Sequence, residues 1–366
     1  MQELSNLIHQ MIQGNYPFFF FREPQSSDIK CGFINDSSII KADIEQLKGK
    51  AGFIMAPFDE NQEALFFPTE MLYSFHDSAQ LLFQLTQKIS LYTFKSAKEY
   101  DEIDDMSKEE YINMCNRYIE QIRQGKLQKA ILSRIIHTDL CRLEQAGLIY
   151  KKLESEYPHA YVFIVYIPGK ICWIGASPEK LLSFENKKFQ TMALAGTMPF
   201  DPGITDKLEN WGQKDIQEQD FVSQYIRECL NQCHIQNYIQ SPVSIYPAGN
   251  VCHLQSLFQG TCGYEQGFTL LRHLHPTPAV CGLPKNEAIA LINEVEKNDR
   301  SYYAGYLGYT NGYDSLNLYV NLRCASLREK DTLLYVGGGI TGESDPNKEW
   351  DETCLKAQTL LNVIQQ

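Results

Sequence analysis

Four carboxylates stand in two pairs, Asp215-x-x-Glu218 and Glu349-x-x-Glu352, and that spacing puts each pair on one face of a helix. Lys356 continues the second face one turn on. Brought together, the pairs would form an oxygen-rich site suited to Mg²⁺. The same spacing also describes solvated carboxylates near helix starts, where negative charge is favoured in any case. A second signal is the strand Gln128-Lys129-Ala130-Ile131-Leu132-Ser133-Arg134. Alternate residues share a face, so Lys129 and Ser133 lie together and Arg134 lies opposite. A lysine in an apolar strand is either an edge residue or buried with a partner, and burial would fit it for proton abstraction. In the run Leu316 to Arg323, alternation sets Asn317, Tyr319, Asn321 and Arg323 on one polar face, turned to water or to a polar cavity. Gly337-Gly338-Gly339 at a strand end allows close backbone approach, and its N–H groups could bind a carboxylate. A bulge or turn is the commoner origin of such glycines. Cys229-x-x-x-Cys233-His234 lacks the second ligand pair that a structural zinc requires.

These residues need elements to hold them. Before residue 100 the pattern predicts short strands at Phe18 to Phe21, Cys31 to Ile34, Gly52 to Ala56 and Ala64 to Phe67. An acidic connector, Asp101 to Ser107, leads to the capping box Ser107-x-x-Glu110 and a helix to about Arg123. Strand Lys129 to Thr138 follows, then a hairpin of Ala160 to Ile167 and Ile171 to Ile174 turning at Pro168-Gly169. A helix from about Asp215 to Cys233 carries the first acidic pair. Further β segments fall at Ser244 to Pro247, Val251 to Thr261, Ser301 to Tyr309, Leu316 to Leu327 and Leu333 to Val336. Asp345 and Pro346 open a last helix, to about Ile364, that carries the second pair. Strands outnumber helices and hairpins are frequent, which favours an α+β architecture with mostly antiparallel sheets.

Composition narrows the function classes. The 366 residues are 43% hydrophobic and 21% charged, a globular balance long enough for a sizeable core. A net charge of -12 argues against general nucleic-acid binding, which needs a basic surface. Neither a Gly-x-Gly-x-x-Gly nor a Gly-Lys-Ser/Thr element supports nucleotide binding. The start lacks a basic segment followed by an apolar core, and Pro17 to Phe21 falls far short of the ~20 residues that span a bilayer. No membrane association is expected, and eleven cysteines are expected as reduced core thiols of a cytoplasmic protein.

Taken in order, several segments form a pattern: Lys129-Ala130-Ile131-Leu132-Ser133-Arg134, Ala176-Ser177-Pro178-Glu179, Leu194-Ala195-Gly196-Thr197 and Lys214-Asp215-x-x-Glu218. After them come His253-Leu254, His275-Pro276-Thr277-Pro278-Ala279, Gly282-Leu283-Pro284-Lys285, Tyr303-Ala304-Gly305, Asn321-Leu322-Arg323, Gly337-Gly338-Gly339-Ile340 and Glu349-x-x-Glu352-Thr353. The ordered set resembles the chorismate-utilising enzymes, among them isochorismate, salicylate, anthranilate and aminodeoxychorismate synthases, over about residues 108–361. The resemblance implies one large α+β domain over residues 1–366, two mostly antiparallel sheets packed as a β-sandwich with helices outside. Residues 1–100 would be a variable β-rich part and 108–361 the catalytic core.

By the same resemblance Glu218 and Glu352 look like direct Mg²⁺ ligands, with Asp215 and Glu349 holding metal-bound waters. Tyr303, Arg323, Gly337, Gly339 and Lys356 match positions that bind the carboxylates of chorismate, and Ala195, Gly196 and Thr197 line the pocket. Lys129 corresponds to the base that activates water at C2 and Glu179 to the acid that protonates the departing C4 hydroxyl. His253 matches an active-site histidine whose role varies. Ala195 stands where aminodeoxychorismate synthases carry a lysine nucleophile, and the segment His275 to Ala279 is similar to isochorismate synthases. Water is therefore the implied nucleophile, with salicylate synthase as the alternative and no glutaminase subunit expected. A monomer or homodimer serving menaquinone or siderophore synthesis would fit. Gln219 departs from the histidine that often follows the first metal-binding glutamate.

Overall fold

The computed structural model describes residues 2–33, 39–69, 72–75, 105–201, 203 and 207–365. Its first part holds α1 (Gln2–Gln13), β1 (Phe18–Arg22), β2 (Ile29–Phe33), β3 (Ile40–Ala42), β4 (Ala51–Ala56), β5 (Ala64–Pro68) and β6 (Tyr73–Ser74). The middle holds α2 (Lys108–Arg123), β7 (Lys129–Thr138), α3 (Ala146–Glu156), β8 (Tyr161–Ile167), β9 (Ile171–Ser177), β10 (Lys180–Glu185), β11 (Lys188–Pro199) and α4 (Gln213–Gln232). Then follow β12 (Tyr238–Gln240), β13 (Ser244–Ala248), β14 (Val251–Thr261), α5 (Tyr264–Leu274), β15 (Gly282–Leu283) and α6 (Lys285–Val295). The chain closes with β16 (Tyr306–Asn311), β17 (Ser315–Val320), β18 (Cys324–Leu327), β19 (Thr332–Ile340) and α7 (Pro346–Gln365).

Every strand pair recorded is antiparallel, and two sheets result. One runs β15-β7-β19-β18-β9-β8-β1-β2-β6; the other runs β12-β14-β11-β10-β17-β16-β4-β5-β3, with β13 beside β14. This is the mixed α+β domain of two large antiparallel sheets that the resemblance implies. The run Phe18 to Phe21 shows how the layers are made. Phe19 stacks on Phe53 across the sandwich, with ring centroids 4.4 Å apart. Phe18 and Phe20 face the other way, into a cluster with Leu7, Ile8 and Met11 of α1 and Ile149 and Tyr150 of α3. With both faces buried the strand reads as an unbroken apolar run.

Several expected elements are redrawn. Helix α1 lies where short strands alone were expected; Leu4, Leu7, Ile8, Met11 and Ile12 are its buried stripe. Residues 301–305 are turn rather than strand, and β16 begins at Tyr306. The run Leu316 to Leu327 is two strands in different sheets, β17 and β18, broken at residues 321–323. Residue 34 of an expected strand and residues 101–104 of the connector lie outside the described residues. The capping box forms: Ser107 Oγ accepts from the Glu110 amide at 3.2 Å, and the Ser107 amide donates to Glu110 Oε2 at 3.0 Å.

Two crossings between the sheets matter most. The chain leaves one sheet at the end of β9 and enters the other at β10 through Pro178-Glu179. It returns from β17 to β18 through Asn321-Leu322-Arg323. The crossings lie side by side: the Val320 amide donates to Glu179 O at 2.9 Å and the Ala176 amide to Arg323 O at 3.1 Å.

Candidate active site

The two crossings open onto a cavity, and of the metal, acid–base and substrate positions implied by the resemblance all but Asp215 and Glu349 line it. Lys129 is not an edge residue: β7 lies between β19 and β15, and the lysine is buried, with Nζ 3.7 Å from Glu218 Oε2. On the opposite face of β7, Arg134 Nε donates to Thr353 Oγ1 at 2.9 Å and its guanidinium stacks 3.9 Å from the Trp350 ring. One strand thus carries the lysine inward and clamps α7, the helix of the second acidic pair, outward. Ser133, on the lysine's face, donates to Glu296 Oε2 at 2.8 Å. Glu296 in turn holds the buried Arg300, which also donates to the Ile131 and Val280 carbonyls at 2.7 and 2.8 Å.

The acidic pairs are not solvated surface. Glu218 of α4 and Glu349 in the first turn of α7 are both buried. Lys214 is ion-paired with Glu349 Oε1, and Lys356 Nζ lies 2.7 Å from Glu352 Oε1 while donating to Gly337 O at 3.0 Å. Burial, with Glu218 and Glu352 nearby, raises the Asp215 carboxyl above its ordinary range, against a hydrogen bond from the Thr197 amide. Burial also raises Glu349, where Glu352 adds to the effect and Lys214 opposes it. At Glu352 burial is outweighed by Lys356, and the carboxylate is held below its ordinary value.

Among the described residues no three His, Cys, Asp or Glu side chains stand close enough to hold a metal ion outright, the Cys229-Cys233-His234 segment included. The donor set of the acidic pairs nonetheless suits a hard cation, being entirely oxygen. Glu349 Oε2 is buried against Gly338 of β19 and accepts no hydrogen bond.

Glycines make the room. A Cβ at Gly339 would lie 2.8 Å from Glu218 Oε1 and 2.9 Å from Lys129 Cε, and one at Gly337 would lie 2.8 Å from the Tyr303 hydroxyl. Gly196 sits where the pairing of β11 with β14 slips between Ala195 and Met198, with φ +71. That bulge turns Ala195, Gly196 and Thr197 toward the cavity. Arg323 also has a left-handed backbone, φ 49, which costs a non-glycine residue about 1–2 kcal/mol.

Charge placement is the other feature. Glu179 is buried, and desolvation lifts its carboxyl to about 8 although Lys129 and Lys356 pull the other way. His253 Nδ1 is 2.8 Å from Gly196 O, an acceptor, so Nδ1 carries the proton. Its Nε2 lone pair then accepts from Arg323 Nη2 at 3.2 Å. Burial and the Arg323 charge lower this imidazole to about 3, so it is neutral. Arg323 also donates to Lys356 O at 3.2 Å and Thr359 Oγ1 at 3.3 Å, and burial lowers it to about 10. Its hydrogen-bond partners here are all uncharged.

The expected polar face of residues 317–323 does not exist as one surface. Asn317 and Tyr319 donate to the half-buried Glu23 at 2.8 and 2.6 Å, and Asn321 Nδ2 donates to Tyr302 O, whereas Arg323 enters the cavity. The break at the crossing resets the alternation. Sequence reasoning also passed over the apolar wall of Ile131, Leu194, Val280, Leu322 and Val336, which in a sequence look like any core residues. Lys214 was met only as a neighbour of Asp215.

Residues 51–365 match a family model described as chorismate binding enzyme, a span that starts well before residue 108. Isochorismate synthase EntC of Escherichia coli (strain K12) is 31% identical over 245 residues, 65% of this chain. The match spans 63% of that relative's length. The fold is similar to that of MenF, the menaquinone-specific isochorismate synthase from Escherichia coli, with a TM-score of 0.77 and 21% identity over 98% of this chain and 91% of that one. Anthranilate synthase component I from Streptococcus pneumoniae gives a TM-score of 0.67 and 18% identity over 94% and 92% of the two chains. Neither structural likeness speaks to more than the fold. No helix among the described residues is long and apolar enough to cross a membrane. The family match covers most of the chain, and the chain belongs to the chorismate binding enzyme family.

Proposed function

We propose that the chain is a Mg²⁺-dependent isochorismate synthase, converting chorismate reversibly to isochorismate. The observation that carries this reading is the pairing, in one cavity, of the buried Lys129 with a buried Glu179 whose carboxyl is held to about 8. Water is a poor nucleophile until it loses a proton, and hydroxide leaves a ring only if it gains one. Lys129 takes the proton as the water oxygen bonds to C2. The ring double bonds shift, the C4–O bond breaks, and Glu179 gives that oxygen a proton so that it leaves as water. A carboxyl near 8 is still protonated at neutral pH, which suits the acid's task.

Arg323, Lys356, Tyr303 and the Gly337 and Gly339 backbone orient the substrate's carboxylates. Arg323 is fitted for this because its partners are neutral acceptors, leaving its charge for an anion. His253, neutral, steers the guanidinium rather than moving a proton. Glu218 and Glu352 would hold Mg²⁺, with Asp215 and Glu349 one water further out. Bound there, Mg²⁺ neutralises a substrate carboxylate that the acidic helices would otherwise repel. Ala195 offers no amine to attack the ring, which removes a covalent lysine route, and the likeness of His275 to Ala279 to isochorismate synthases supports water as the nucleophile, with no ammonia-supplying subunit.

Purified protein with chorismate and Mg²⁺ is expected to form isochorismate, read by chromatography, without releasing pyruvate. Stoichiometric pyruvate with salicylate would replace this reading with salicylate synthase, and metal-independent turnover would remove Mg²⁺ from it.

A further inference from the structure

On the reading that the two acidic pairs hold a divalent cation, we propose that Lys214 is the site's tethered counter-ion, an ammonium that the metal must displace from Glu349. Lys214 stands in the first turn of α4, directly before Asp215, and pairs with Glu349 Oε1 on α7. Glu218 and Glu352 also act on its charge. The ammonium therefore links the two acidic helices. Glu349 Oε2, the other oxygen of the same carboxylate, is buried and accepts no hydrogen bond.

Three lysines stand against this cluster, and their exposures separate them. The Lys129 side chain is 2% exposed and fixed within a sheet, and that of Lys356 is 17% exposed and also tied to Gly337 O. Lys214 is 31% exposed, so its long side chain reaches water by rotating about its own bonds. Without such a cation, converging buried carboxylates would repel one another and strain the ends of α4 and α7. With it, the helices meet at their working separation before any metal arrives, and affinity for the metal is reduced by the cost of releasing the ammonium.

The test is Mn²⁺ binding to the full chain without chorismate, followed by the loss of the free-ion paramagnetic resonance signal. Lys214→Met is expected to bind Mn²⁺ at least tenfold more tightly than the unaltered protein, with Lys214→Arg within threefold of it. Equal or weaker binding by a folded Lys214→Met overturns the proposal. A second measurement needs no variant: acylation of lysines by a water-soluble ester, read by peptide mass spectrometry. Saturating Mn²⁺ is expected to raise labelling at Lys214 at least threefold; unchanged or reduced labelling overturns the proposal. If the unaltered protein binds no Mn²⁺, the metal reading itself fails and this inference with it. If it binds Mn²⁺ while both Lys214 readouts stay flat, this inference alone fails.

Discussion

Glu179 owes its raised carboxyl to burial at the short link between the two sheets, which the two lysines nearby only partly offset. Because the functional form is the protonated one, activity is present below about 8 and lost as pH rises through that value. A pH profile of kcat/KM should therefore fall about tenfold per unit above the limb, and a flat profile from 7 to 9 would sink the role assigned to Glu179. Glu179→Gln and Lys129→Ala should each lower kcat by about 10²–10⁴ with little change in KM, read in steady-state assays. Glu352→Gln should raise the Mg²⁺ concentration for half-maximal rate; an unaltered Mg²⁺ dependence would count against that ligand. At this scale residue type and spacing picked out Lys129 and the acidic pairs but left an edge lysine and solvated carboxylates open, and only the ordered set of segments favoured a site. The sequence was silent on Lys214, because an ion pair between residues 214 and 349 leaves no mark in either segment.

Elements hold those residues through contacts that are themselves buried. Arg300 anchors β7 through the Ile131 carbonyl while paired with Glu296. Arg300→Leu leaves the Glu296 carboxylate buried without its counter-charge, held by Ser133, which costs about 3 kcal/mol of folding stability, measurable by denaturant unfolding. Gly339→Ala should act differently. Its methyl group would press on Glu218 and Lys129 rather than on the core, so kcat/KM should fall about 10²-fold while the melting temperature holds. Helix ends and strands with strong patterns, such as the Ser107 cap and β7, were readable in advance. The break between β17 and β18 was not, since apolar and polar residues alternate through residues 316–323 without a glycine or proline to mark it. Arg323 holds the left-handed conformation there, and nothing in its residue type announces that.

The whole molecule is less divisible than the family match. That match begins at residue 51, yet β1 lies inside a sheet between β8 and β2, and Phe18 to Phe21 are fully buried. A chain lacking residues 1–47 should therefore lose cooperative unfolding, as followed by circular dichroism, rather than behave as a trimmed enzyme. The side-by-side crossings at Pro178-Glu179 and Asn321-Arg323 have a further consequence. Those short links belong to both layers of the sandwich and to the wall of the cavity at once. A ligand gripped by Arg323 thus fastens a joint shared by both layers. Chorismate should slow amide hydrogen exchange in β9, β10, β17 and β18 together, so that occupancy of one small cavity registers as kinetic protection spread across both layers.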